Sequence, residues 1–184
     1  NQNGVPDAFD VALGRSADCN GNGAPDECDI LPSLGFSLGP DVPAGGPPRL
    51  KLAPVDLDGD RDLDLAVAGT GTVSILANDG GAGFALVGEA ALEADEAALA
   101  AADLDRDGDV DLVTGNRTTR SVSVLVNLGS GKLSAPVSYS VRGEPEDVKA
   151  ADLDRDGSPD VIVPGGYRDD LISILRGRGD GTLE

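Results

Sequence analysis

From about residue 50 onward, short apolar runs alternate with polar, glycine-rich breaks, and the alternation repeats. VDLDGDRDLDLAV from Val55, ADLDRDGDVDLVT from Ala102 and ADLDRDGSPDVIV from Ala151 align without gaps. An alternating apolar segment follows each: VSILAND from Val73, VSVLVNL from Val122 and ISILRGR from Ile172. Then come a glycine-rich turn and an apolar residue, at Phe84, Leu133 and Leu183, and LGF ending at Phe36 fits that slot one period earlier. The leading aspartates, Asp56, Asp103 and Asp152, lie 47 and 49 residues apart. Period-2 alternation marks strands, and Gly/Asn/Asp clusters mark the turns between them.

Each period therefore reads as four short strands. In the middle one they are 84–89, 99–102, 112–114 and 122–127, with an aspartate loop between the second and third. Four strands repeating every ~40–50 residues is the size of a propeller blade. The expected fold is all-β: three four-stranded propeller-type blades across residues 33–184, preceded by a smaller segment at 1–32. One stretch objects. EAALEADEAALAAAD, residues 89–103, is rich in helix formers. Its counterparts in the other periods contain prolines that break a helix, so the repeat favours strands there too.

Composition narrows the chemistry. The chain has 184 residues and 40% apolar content, enough for a core, but only 3% aromatics and no Trp or Met, so that core is aliphatic. A net charge of −19 repels nucleic acid and anionic membranes, and suits divalent cations. With no histidine, the commonest general base and zinc ligand is missing. No apolar run reaches the ~18 residues of a membrane span, so no membrane insertion is expected. Asn1 is not a start residue, which fits a leader already removed.

The aspartate loops explain the charge. Calcium takes about six to eight oxygens, and a loop offering them at positions 1, 3, 5, 7 (main chain) and 9 or 12 wraps it, with glycine at 6 for the sharp turn. The second loop supplies Asp103, Asp105, Asp107, the Asp109 carbonyl and Asp111, with Gly108 at position 6. The third supplies Asp152, Asp154, Asp156, the Ser158 carbonyl and Asp160, with Gly157. The first supplies Asp56, Asp58, Asp60, the Asp62 carbonyl and Asp64, but puts Arg61 at position 6 and Gly59 at position 4. Arg61 is expected in an unfavourable backbone conformation, which would distort or weaken that site. Without a cation the converging carboxylates repel one another.

These loops and their flanking strands resemble the FG-GAP/VCBS repeat family, the calcium-bearing blades of integrin-like β-propellers. DLDRDGDVDLV and GSGKLSAPVSYSV carry the resemblance, which covers residues 34–184. It implies Ca²⁺ in the loop joining the two inner strands of each blade, and an extracellular or cell-surface setting. The family is mostly adhesive or structural.

The head of the chain carries a second repeat, NQNGVPDAFD from Asn1 and NGNGAPDECD from Asn20. The complete copy offers Asp18, Asn20, Asn22, the Ala24 carbonyl, Asp26 and Asp29. The first offers Asn1, Asn3, the Val5 carbonyl, Asp7 and Asp10. These loops resemble thrombospondin type 3 repeats and dockerins, which implies one or two more calcium sites. Cys19 and Cys28 fall within the complete loop, where a short disulfide would prearrange its ligands.

Two further motifs are bland. Asn116-Arg117-Thr118 is a glycosylation acceptor pattern in an expected loop. Arg178-Gly179-Asp180 coincides with the ordinary turn of the repeat. No nucleophile–base constellation stands out, so no enzyme is expected. The favoured reading is an extracellular calcium-binding structural or adhesive module with a protein or glycan ligand. The alternatives are a carbohydrate-binding propeller of a degradative enzyme, which the scarcity of aromatics disfavours, and a piece of a longer propeller. Counting strands leaves the third blade without its outer strand and a spare strand near Phe36. Self-association is therefore expected by β-augmentation, segment 33–42 of one molecule completing the 171–175 edge of another, in a filament or a ring.

Overall fold

The computed structural model describes residues 51–81, 83–92, 96–166 and 170–184, with backbone only at Glu96 and Ala97. The two calcium loops expected in 1–32, the Cys19–Cys28 pair and the strand near Phe36 lie outside the described residues. The chain divides into two compact units, Asn1–Asp41 and Val42–Glu184, and the described residues all belong to the second.

Eleven strands form three antiparallel sheets with no helix among the described residues. The first blade is β1 (Lys51–Val55), β2 (Asp64–Gly69), β3 (Thr72–Asn78) and β4 (Phe84–Ala91). The second is β5 (Glu96–Ala102), β6 (Asp111–Asn116), β7 (Ser121–Leu125) and β8 (Val137–Ser140). The third has β9 (Lys149–Ala151), β10 (Asp160–Pro164) and β11 (Ile172–Leu175). Within each sheet the strands follow one another as a meander. Leu183 bridges to Gly177 where a fourth strand of the third blade would begin.

The helix-forming stretch at 89–103 ends β4 and makes up β5, which pairs with β6 from Glu96↔Asn116 to Ala102↔Asp111. Tertiary pairing overrides helix propensity because the alternate residues of β5 have a sheet to pack on. A bulge between Ile75 and Leu76 interrupts the β3–β4 register, leaving Leu86 and Val87 both exposed on the outer strand.

The cores lie between blades rather than within them. Val73 and Ile75 of β3 and Leu57 of the first aspartate loop pack with Leu112 and Leu125 of the second blade. One residue on in β6, Val113 points the other way. It joins Leu104, Val122 and Val124 against Val161, Val163 and Leu175 of the third blade. A strand's side chains alternate faces, so the second blade is buried on both sides, and β6 and β7 are buried at every position.

Candidate metal centres

Each aspartate loop leaves the first strand of its blade and returns as the second. Its backbone is wound by its own carboxylates. Position 1 accepts from the backbone N–H of positions 4 and 6: Asp56 from Gly59 and Arg61, Asp103 from Arg106 and Gly108, Asp152 from Arg155 and Gly157. Position 3 accepts from position 5 at 3.2 Å in all three loops. Position 5 accepts from position 7 at 2.8, 2.9 and 2.7 Å, from Asp62, Asp109 and Ser158.

The winding needs left-handed backbone at positions 4 and 6. The sequence pattern predicts strain at Arg61 alone, and Arg61 does sit at φ 79°. The other loops hold the mirror arrangement, with Arg106 at φ 64° and Arg155 at 66° in position 4 and glycine in position 6. Each loop thus has two left-handed positions, one glycine and one strained arginine, so the first is not singled out by backbone strain.

Position 9 has a role that spacing alone did not reveal. Asp111 is fully buried; its Oδ2 accepts from Leu104 N–H at 2.8 Å and its Oδ1 from Asn127 N–H at 2.7 Å. Asp64 does the same with Leu57 and Asn78, and Asp160 with Leu153 and Gly177. This carboxylate pins the loop to the end of the third strand. The donor is a backbone N–H, from Asn78, Asn127 and Gly177 alike, so no side-chain pattern signals it.

In the first two loops positions 1, 3 and 9 converge: Asp56, Asp58 and Asp64, then Asp103, Asp105 and Asp111, their oxygens within 4.8 Å of one another. In the third the group is Asp152, Asp154 and Asp156, all exposed. Asp60 and Asp107 stand outside the first two groups and Asp160 outside the third. The second centre is the most enclosed. Burial pushes the Asp111 carboxyl up to about 6 against the two N–H donors, and the Asp105 and Asp103 charges add to it. Burial also raises Asp105, opposed by the Asp107 N–H and helped by the Asp107 and Asp103 charges. At Asp58 the Asp60 N–H pulls the carboxyl down, but desolvation and the Asp60, Asp64 and Asp56 charges leave it raised.

The third loop differs electrostatically. Asp156 is held low by the Ser158 N–H, with Arg106 and Arg176 contributing. Arg176 also pairs with Asp154 at 3.3 Å. Ser158 Oγ is buried and makes no well-aligned hydrogen bond, yet lies close enough to Asp156 to help hold that carboxyl low. Hard oxygen donors alone, several already oriented by backbone N–H groups, fit a hard divalent cation of calcium's size better than a thiophilic metal. A bound cation there would neutralise the clustered carboxylates.

The two bland motifs resolve. Asn116 is 1% exposed, and its Nδ2 donates to Ser121 Oγ at 3.0 Å and Ser123 Oγ at 2.8 Å. The acceptor pattern therefore ends a buried strand instead of lying in a loop. In the Arg178-Gly179-Asp180 turn, Arg178 pairs with Glu184 at 2.8 Å and Asp180 accepts from the Thr182 N–H at 3.0 Å.

Among solved structures, the chain is similar to an Agrocybe aegerita lectin described as specifically recognising non-reducing terminal N-acetylglucosamine, at 23% identity and TM-score 0.49, covering 72% of this chain and 36% of the lectin. It is also similar to the Photorhabdus luminescens Tc holotoxin pore, at 24% identity and TM-score 0.47, covering 74% of this chain and 7% of that one. The chain thus spans well under two thirds of either. No curated protein matches. The family model for FG-GAP-like repeats matches twice, over residues 56–114 and 103–163, each match running from one aspartate loop through the next. Over more than half its length, and in the loops that give its blades their chemistry, this chain belongs to the FG-GAP-like repeat family.

Proposed function

We propose that the chain is an extracellular or cell-surface calcium-binding module, structural or adhesive in role, with no enzymatic activity of its own. The observation that carries this is the gathering of three carboxylates within 4.8 Å in each of the three aspartate loops, at positions 1, 3 and 9 in the first two and 1, 3 and 5 in the third. Calcium at these loops offsets the carboxylate repulsion and stiffens the blades into a rigid surface for a protein or glycan ligand. Isothermal titration of metal-stripped protein with Ca²⁺ tests it. Heats fitting at least two blade sites, weakened by Asp105→Ala, are expected, and no heat with Ca²⁺ would end the reading.

In the same reading the molecule self-associates head to tail. Segment 33–42 of one copy adds a strand to the β11 edge of another, because the third blade has only three strands among the described residues. Cys19 and Cys28 form a disulfide in the N-terminal calcium segment. Intact mass before and after alkylation distinguishes the bridge from two thiols.

A further inference from the structure

The three aspartate loops share a spacing but not a charge. The first two each carry five carboxylates between positions 1 and 9, and the third carries four, because Ser158 stands where the others have Asp62 and Asp109. The anchor at position 9 is also held at longer range in the third loop. Asp160 accepts from Leu153 and Gly177 at 3.1 Å each, whereas Asp64 and Asp111 accept their N–H groups at 2.7–2.9 Å. Asp160 stands outside the gathered carboxylates of its loop, while Asp64 and Asp111 belong to theirs.

A cation of the chain's own meets the third group. Arg176 follows Leu175 just past β11, where the first two blades have Ala77 after Leu76 and Val126 after Leu125. Its Nη1 lies 3.3 Å from Asp154 Oδ2, and Asp154 is the middle member of the gathered Asp152, Asp154 and Asp156. Among the described residues, no other carboxylate of the three loops makes an ion pair. A second guanidinium arrives from the neighbouring loop. Arg106 lies against Gly179, donates to the Arg178 carbonyl at 3.4 Å, and brings Nη1 to 3.8 Å from where a side chain on Gly157 would begin.

The Arg176–Asp154 pair is open to exchange. The two side chains are 66% and 39% exposed, and an ion pair in such contact with water is weak. A divalent cation brings twice the charge and binds several oxygens at once, so it outcompetes one guanidinium for the carboxylate. The guanidinium still has to leave, and until it does it repels the incoming ion. Affinity in such loops follows the charge and rigidity of the ligand set. The third loop has less of the first and longer anchoring bonds for the second.

We propose that Arg176 is a built-in counter-ion of the third loop, which takes calcium only in exchange for the guanidinium and therefore at a higher concentration than the first two. Between the two concentrations the first and second blades are loaded, and the third is still neutralised by its arginine. This rests on the proposed calcium binding and adds an order of filling to it.

Calcium titration of the metal-stripped full chain, read by equilibrium dialysis and calorimetry, tests the order. Asp56→Ala, Asp103→Ala and Asp152→Ala each remove one binding step, which assigns those steps to the first, second and third loops. The third-loop step is expected to be the weakest of the three by about tenfold, since one charge facing two across several ångströms of water is worth about a decade of affinity. Arg176→Val copies Val126 of the second blade. It is expected to tighten the third-loop step by about that factor and to leave the second-loop step unmoved. A misfolded variant would lose affinity rather than gain it. Ala77→Arg places the guanidinium on the first blade and is expected to weaken the first-loop step. Three equal steps in the parent, or a third-loop step that Arg176→Val leaves unchanged, would overturn the exchange and leave calcium binding standing. A parent chain that binds no calcium in any of the three loops removes both.

Discussion

Asn127 donates its side-chain amide to the backbone carbonyl of Leu57, 70 residues away, at 2.8 Å. This bond links the last strand-turn of one blade to the aspartate loop of the blade before it. It also satisfies a carbonyl deep in an apolar joint, where an unpaired acceptor costs about 1–3 kcal/mol. Asn127→Ala is expected to destabilise by about that much, measured by urea denaturation. Asn78→Ala, at the more exposed equivalent position, is expected to cost less than about 1 kcal/mol.

Metal removal separates the two jobs of the loop carboxylates. EDTA is expected to lower the melting temperature and Ca²⁺ to restore it. Asp105→Ala and Asp154→Ala should cost more stability in Ca²⁺ than in EDTA, because on the proposed reading they meet the cation besides accepting the Asp107 and Asp156 N–H groups. Asp111→Ala should destabilise in both, since Leu104 and Asn127 lose the acceptor that pins them. Equal effects of Asp105→Ala with and without Ca²⁺ would argue against a metal site in that loop.

The pH dependence of the metal-free protein follows from Asp111. Its folded pKa of about 6 lies above the ordinary aspartate value of 3.8. Between those values the folded state binds more proton than the unfolded state, so stability falls as pH rises. Metal-free protein is therefore expected to gain stability as pH falls from 7 through 5, with the gain complete only below the unfolded value of 3.8. Ca²⁺ bound as proposed would hold the carboxylate ionised, and the trend should then flatten or reverse. Thermal melts across pH 4–7 with and without Ca²⁺ check it.

Asn116 is expected to stay unmodified in a glycosylating host. Its amide nitrogen is spent on Ser121 and Ser123 inside the sheet, and a glycan there would have to displace that network. Peptide mapping after expression reads the outcome directly.

The strained arginines give a comparison. Arg155→Gly relieves a left-handed arginine on an open surface and is expected to raise stability by roughly 1 kcal/mol, less the added entropy of the unfolded chain. Arg106→Gly relieves the same strain but loses the packing against Gly179, so its gain should be smaller or absent. Chemical denaturation of the two variants side by side settles the difference.

The blades were legible because two periodicities coincide: alternation along each strand and recurrence of the aspartate loop. Together they placed β6, β7, β10 and β11 to within a few residues and outweighed the helix-forming run before Asp103. The gathering of Asp56 with Asp58 and of Asp103 with Asp105 was likewise readable from spacing. Other features were not, because they are properties of neighbours. Whether Leu57 or Leu153 is buried depends on the next blade, not on the identical motif around each. The left-handed turn at position 4 was hidden because the motif puts a long, polar arginine where the backbone calls for glycine. The burial of Asn116 escaped a pattern that describes three residues and no fold.

The opposite facing of Leu112 and Val113 has a further consequence. A sheet whose two sides are both filled by neighbours holds little stability of its own, so the array behaves as a short one-dimensional lattice in which each unit is worth its contacts. Among the described sheets, the middle one, with two neighbours, is expected to set the slowest amide exchange, and the third, with Leu153 exposed, a faster one. A cation on the second loop would tighten the middle sheet further, because the same Asp111 that helps to gather the charge also holds the Asn127 N–H at the end of the third strand.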